Sequence, residues 1–241
     1  MKRHCLFFSA LLFAISTVPS QSLLADAPTG KLIFEDAFDR TESDAAKEDV
    51  GNDWVTNSKA RAKGEKQVWV KDGVMTIKRA AVADHGVSVV QNLKFKDATI
   101  QMRFKLGAKD SLGINIADMK EKSVHAGHIC LALVKPNKVE IADLKTGRMN
   151  LKIRTRRKAG EETDEDKKLV KKKSKYFPVE LDTDNWHTLN VQIKSDTMTV
   201  SINDNQVGQF KSPGIGHETK SRIRLAVAKS AMVDDIKVWQ Q

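Results

Sequence analysis

DTDNWHTLNVQIKSDTMTVSINDNQVGQF, residues 182–210, reads as three consecutive antiparallel strands. Leu189, Val191 and Ile193 alternate with Thr188, Asn190 and Gln192, and Met198, Val200 and Ile202 alternate with Thr199, Ser201 and Asn203. A period of two marks a strand with one face buried and the other wet. Lys194-Ser195-Asp196 and Asp204-Asn205 supply the reversals, because Asn and Asp tolerate positive φ and bond their own backbone. The stretch predicts a β-meander with one apolar face.

The same alternation extends outward from it. Ile100, Met102, Phe104 and Leu106 oppose Gln101, Arg103 and Lys105, and Leu112, Ile114 and Ile116 follow after a turn. Residues 128–134 are apolar on both faces, which predicts a central strand, and residues 139–142 return through Lys135-Pro136-Asn137-Lys138. Lys71-Asp72-Gly73 is a hairpin signal between residues 67–70 and 74–78. Only residues 159–175 read as helical, with Glu161, Glu162, Asp164 and Glu165 ahead of a run of lysines, the order that suits the helix dipole. About a dozen short strands at turn-punctuated spacing predict an all-β chain, a two-sheet antiparallel jelly-roll sandwich with one short charged helical insertion at 155–175.

Lys2 and Arg3 precede an apolar run over residues 6–18, which predicts a signal peptide over 1–25 and a single exported domain over 26–241. No later segment has the length of a membrane helix. Cys5 leaves with the signal, so Cys130 has no intramolecular disulfide partner and reads as a small buried apolar residue. The net charge is +10, concentrated between residues 145 and 175. Without a recognition-helix pattern or aromatic interleaving, nucleic acid is not the expected partner. The plain reading of the stretch is a solvated insertion with internal charge pairing; the sharper one is an acidic polysaccharide or an anionic envelope surface, which suits an exported chain better than nucleic acid does.

The order of motifs resembles the 3-keto-disaccharide hydrolase family of secreted bacterial, concanavalin A-like lectin/glucanase jelly rolls. The carrying segments are FEDAF at 34–38, GNDW at 51–54, FKDATIQMRFKL leading into DSLGI at 110–114, Gly127-His128, NWHTLNVQI, SIND and the closing VDDIKVW. The resemblance implies a jelly roll whose concave face meets sugars, acting as a hydrolase, or as a lyase or hydratase, on 3-keto-glycosides. Glu140 and Asp143 stand three apart on one strand, hence on opposite faces, which disfavours the close carboxylate pair of a retaining glucanase.

Arg103, Asn115, His128 and Glu140 each project opposite the apolar side of their own strand. If those strands are neighbours, they form a polar row able to move a proton α to a ketone, with Arg103, His128 and Glu140 catalytic and Asn115 binding substrate. The alternative is a solvated face. His217, in the glycine-bearing segment 214–220, is a further catalytic candidate, and Lys220 beside it a substrate-binding one. Trp69, between Val68 and Val70, is the tryptophan best placed to stack on a sugar. Relatives in the wider fold hold a structural calcium near the chain ends, which makes Asp36 and Asp235 its candidate ligands. The alternative to an enzyme is a non-catalytic glycan-binding or envelope-associated structural module.

Overall fold

Residues 29–241 are described in a computed structural model, and the expected signal peptide with Cys5 lies outside them. In chain order the strands are β1 Lys31–Asp36, β2 Val55–Thr56, β3 Val68–Lys71, β4 Val74–Lys78, β5 Val87–Gln91, β6 Ala98–Lys105, β7 Leu112–Ala117 and β8 His128–Lys135. They continue as β9 Lys138–Asp143, β10 Ser174–Pro178, β11 His187–Lys194, β12 Thr197–Ile202, β13 Asn205–Lys211, β14 Arg222–Val227 and β15 Ser230–Gln240. The helices are α1 Ser58–Arg61, α2 Leu151–Ala159 and α3 Asp164–Lys172. Among the described residues no helix is long and apolar enough to cross a membrane.

The strands form two antiparallel sheets. The first runs β13-β12-β11-β6-β15-β4-β3, with β1 also paired to β15, and the second runs β10-β9-β8-β7-β14-β5-β2. The meander read from residues 182–210 is β11-β12-β13, at one end of the first sheet. Its inward residues, with Ile100, Met102 and Phe104 of β6, pack against Ile114 and Ile116 of β7 and Cys130 and Ala132 of β8 in one core. Each fully buried Ile, Leu or Phe contributes roughly 1.5–3 kcal/mol over leaving it in water. Asp72 and Gly73 both take positive φ, which makes the predicted hairpin between β3 and β4.

The apolar character of β8 on both faces has a specific cause. Ile129, Cys130, Ala132 and Val134 point into the core, while Leu131 on the other face joins Ala142 and Leu144 in a second cluster covered by Leu133 and Met149. The segment after β9 thus partly roofs the outer face of the second sheet. Burial pushes the Cys130 thiol up to about 12, as befits an inert apolar filler.

The charged insertion differs from the single helix expected over 159–175. It is a hairpin of two helices followed by a strand. Asn150 caps α2 by accepting from the Lys152 N–H, and Gly160, at φ 77°, ends it in the left-handed conformation where a Cβ is penalised. Thr163 and Asp166 form a capping box that starts α3. Arg156 Nε donates to Asp166 Oδ2 at 2.7 Å and joins the two helices. Residues 174 and 175 are strand because β10 pairs with β9, Tyr176 opposite Glu140. Local propensity carries no information about that sheet edge.

Candidate functional site

The polar row expected across four strands falls on two different sheets. Arg103 stands opposite Thr188 on the outer face of the first sheet, with the wet side of the meander. Asn115, His128 and Glu140 stand on the outer face of the second. β6 and β7 are consecutive in sequence, yet the chain changes sheets between them. A polar side chain faces outward on either sheet, so alternation alone did not separate them.

Arg103 is instead held by Asp234, 3.0 Å from its Nη1, with Asp235 at 3.8 Å and the Trp186 ring 4.9 Å away. Trp69 also faces outward on the first sheet, between buried Val68 and Val70, with the Lys66 ammonium 5.9 Å from its ring. Both therefore lie across the sandwich from His128.

The expected calcium pair does not suit a metal. Both Asp36 oxygens accept from Arg40, at 2.7 and 3.0 Å, and Asp36 also accepts from Trp54 Nε1 and the Phe38 N–H, each at 2.8 Å. Burial alone would raise its pKa, but the Arg40, Phe38 and Trp54 bonds outweigh it and lower it. A guanidinium already occupies the place of the cation, and Asp235 spends its carboxylate beside Arg103. Among the described residues no three His, Cys, Asp or Glu side chains are arranged to hold a metal.

His128 anchors the most concentrated chemistry on the second sheet. It opens β8 directly after a 3-10 turn, His125–Gly127, in which Gly127 has φ 72° and lies against the Asp118 carbonyl with no room for a Cβ. The turn presents the ring to Asn115 of β7, whose Oδ1 is 2.8 Å from His128 Nδ1. Arg224 of β14, opposite Asn115 on the other side of β7, brings its Nη1 to 3.1 Å from Nδ1 and 3.4 Å from Nε2. Arg224 Nη2 donates to the Ala126 carbonyl at 2.8 Å. The His125 ring centre is 6.2 Å away.

These neighbours set the charge state. Burial first, then the Arg224, His125 and Arg154 charges, lower His128 to about 3, so at neutral pH the ring is uncharged. Burial, with Arg222 alongside, lowers Arg224 to about 10, and it remains a cation. Arg224 was missed by sequence reasoning. Its outward position follows from its alternation with Ile223 and Leu225, but its meeting with His128 depends on the strand order β8-β7-β14.

Glu140 shares this face but is bound to Arg148, which also donates to Ser174 Oγ. Asp143 points the other way and is 1% exposed. It accepts from Ser212 Oγ at 2.6 Å, the Gly214 N–H at 2.9 Å, and the Thr146 N–H and hydroxyl. The two carboxylates face opposite sides, as their spacing requires.

His217 belongs to a separate network beyond the end of β7. Its Nε2 lies 3.2 Å from Asp118 Oδ2 and its Nδ1 2.8 Å from Lys145 Nζ, which also pairs with Glu121 at 2.9 Å. Lysine only donates, so Nδ1 accepts and Nε2–H donates to Asp118. The Ser123 N–H and the Lys145 ammonium pull Glu121 down to about 2. With both ring nitrogens engaged, His217 fastens the β13–β14 loop. Lys220, expected to bind substrate, is 1% exposed and donates to the Lys96 and His217 carbonyls at 2.6 and 2.8 Å. It is a structural plug, and a lysine so buried was not legible from its charged loop sequence.

Residues 37–238 match the family described as 3-keto-alpha-glucoside-1,2-lyase-like domain. The chain belongs to this family. No curated protein matches it. Among solved structures, this lyase-like chain is similar to the laminarinase from Rhodothermus marinus, with 12% identity, 89% of this chain and 99% of that one covered, and a TM-score of 0.59. It is similar also to SCLam, a non-specific endo-beta-1,3(4)-glucanase from family GH16, at 12% identity, 91% and 96% coverage and a TM-score of 0.58. The laminarinase from Flavobacterium sp. UMI-01 matches at 12% identity, 87% and 100% coverage and a TM-score of 0.57. At such identity these likenesses show the fold, a concanavalin A-like jelly roll. The candidate site around His128 is an uncharged imidazole between a carboxamide and a guanidinium, a set suited to moving a proton beside a developing negative charge.

Proposed function

We propose that this exported protein binds glycosides on the outer face of its second sheet and cleaves 3-keto-glycosides by elimination. The carrying observation is His128, uncharged, with Nδ1 on Asn115 and Arg224 Nη1 against the ring, 3.1 Å from Nδ1 and 3.4 Å from Nε2. Membership of a 3-keto-glucoside lyase-like family supports the substrate class, and the N-terminal apolar segment supports export.

In the proposed reaction a ketone at sugar carbon 3 acidifies the proton on carbon 2. Nε2 of His128 takes that proton, and the bonding electrons move toward the ketone oxygen. The resulting enolate is stabilised by the Arg224 guanidinium. Its collapse breaks the bond from carbon 1 to the glycosidic oxygen, leaving a 1,2-unsaturated 3-ketone and an alkoxide that receives the proton from His128. No oxidant or reductant is required. The low pKa of His128 keeps the lone pair free, and the nearby enolate charge raises the ring's basicity as the proton transfers.

The test is incubation with aryl 3-keto-glucosides, following the enone by ultraviolet absorbance and the released phenol. Turnover lost in His128→Gln supports elimination. Full turnover in that variant would refute the assignment. Binding of glycans with no turnover of any 3-keto-glycoside would leave a non-catalytic glycan-binding module.

A further inference from the structure

Several cations gather around His128 without a carboxylate; among the described residues Lys152, Lys168, Lys171 and Lys172 of the helical hairpin also have none, but they are spread over the helices and do not converge on one strand face. Arg148 is paired with Glu140, Arg156 with Asp166 and Arg157 with Glu162. Arg154 and Lys158, one turn apart on α2, have no carboxylate partner among the described residues, nor do Arg222 and Arg224 on β14. Arg222 bonds only the neutral Asn92 Oδ1, at 2.9 Å. The start of α2 is fixed beside the His125 turn, the His125 N–H donating to the Met149 carbonyl and the Leu151 N–H to the Ser123 carbonyl, each at 2.9 Å, and the Arg154 and Lys158 charges accordingly act on His125. Arg222 and Arg224 are neighbours on one strand face.

Like charges without counter-ions repel one another, and the repulsion is stronger for the half-buried Arg154, Arg222 and Arg224 than for the exposed Lys158. On this face Glu140 offsets Arg148, whereas Arg154, Lys158, Arg222 and Arg224 have no carboxylate within ion-pair distance among the described residues. A bound anion would relieve that repulsion through charge-assisted hydrogen bonds, which guanidinium forks form most readily with carboxylate or sulfate.

We infer that the glycoside taken by this face is acidic, carrying a carboxylate or a sulfate ester that Arg154, Lys158 and Arg222 hold while Arg224 serves the reacting ketone. This inference rests on the carbohydrate reading above. Its shared chemistry is an oxyanion on the sugar ring, and the two sources, a uronic acid and a sulfated sugar, are separate arms of the test.

Calorimetric titration of the full chain would compare neutral glucose tetrasaccharides of several linkages with their C6-carboxylate and 6-O-sulfate counterparts. At least one acidic form should bind about tenfold or more tightly than its neutral parent, with the preference weakening in added salt. Preference for one acidic arm identifies the substituent. Arg154→Gln with Lys158→Gln, or Arg222→Gln alone, should reduce acidic binding toward the neutral level and leave neutral binding unchanged. The control pair Lys168→Gln and Lys171→Gln, on α3, should leave the preference intact. If instead the control pair abolishes it, the preference is general attraction to the helix lysines and the inference falls. Equal binding of neutral and acidic sugars also overturns it while leaving the carbohydrate reading standing. Binding of neither overturns it too, and turnover of aryl 3-keto-glucosides then decides separately whether the carbohydrate reading stands.

Discussion

Asn115 Oδ1 and His128 Nδ1, on adjacent strands, are 2.8 Å apart. A carboxamide oxygen only accepts, so Nδ1 carries the ring proton and the free lone pair sits on Nε2. Arg224 Nη1 lies beside both ring nitrogens, 3.1 Å from Nδ1 and 3.4 Å from Nε2, and the longer distance to Nε2 leaves its lone pair available to substrate.

This relationship makes Asn115 a positioning residue. Asn115→Leu should lower kcat on a 3-keto-glucoside by roughly 10–100-fold with KM nearly unchanged, because the tautomer is no longer fixed. Asn115→Asp would place a negative charge beside the ring, raise the His128 pKa, and move the acid limb of the pH–rate profile to higher pH. A purely structural asparagine would give neither the kcat-against-KM split nor the shifted limb.

The same histidine makes stability depend on pH. Its folded pKa, about 3, lies below its ordinary value of 6.5, so between those values the unfolded chain binds the extra proton. Stability therefore falls as pH falls through this window, by about 2 kcal/mol between pH 6.5 and 5. His125, lowered by burial and by Arg154 and Lys158, acts in the same direction. Asp36, Asp118 and Glu121 are also lowered, but their contributions are lost in the more acidic carboxylate range. Urea unfolding at pH 7 and pH 5 checks this: His128→Gln should show a clearly smaller difference than the wild type, and equal differences would assign the effect elsewhere.

Asp143 ties the end of β9 to the β13–β14 loop. Asp143→Ala would leave the Ser212 and Thr146 hydroxyls and the Gly214 N–H without their acceptor and should cost about 3 kcal/mol in urea unfolding. Gly214→Ala should be damaging for a related reason, since its new Cβ would sit inside contact distance of the Asp143 carboxylate. Amide exchange should show residues 212–217 opening first in both variants.

Because Arg40 fills the place expected for calcium, chelation should leave the melting temperature unchanged. Arg40→Ala should instead destabilise by about 3 kcal/mol, since it leaves the buried Asp36 carboxylate without its cation. A melting temperature lowered by EDTA and restored by calcium would reverse this assignment.

The sequence by itself determined the long alternating strands and their buried faces, though not β10, whose start it reads as helix. Leu189, Val191 and Ile193, or Ile100, Met102 and Phe104, announce their inward side because the two-residue period follows from local backbone geometry. It also determined that Glu140 and Asp143 look opposite ways, which their spacing on one strand requires. Only the tertiary structure decided which outward faces coincide. Arg103 and Asn115 are equally polar and equally outward, yet the sheet change between β6 and β7 puts them on opposite sides of the sandwich. Arg224 reaches His128 across 96 positions of sequence because β7 lies between their strands. Lys220 and Asp36 read as candidate ligands for substrate and calcium, and their burial instead goes with the Lys96 and His217 carbonyls and the Arg40 guanidinium that hold them. Alternation is a property of each strand alone, whereas a site is a property of strand order, and strand order is decided by packing between distant segments.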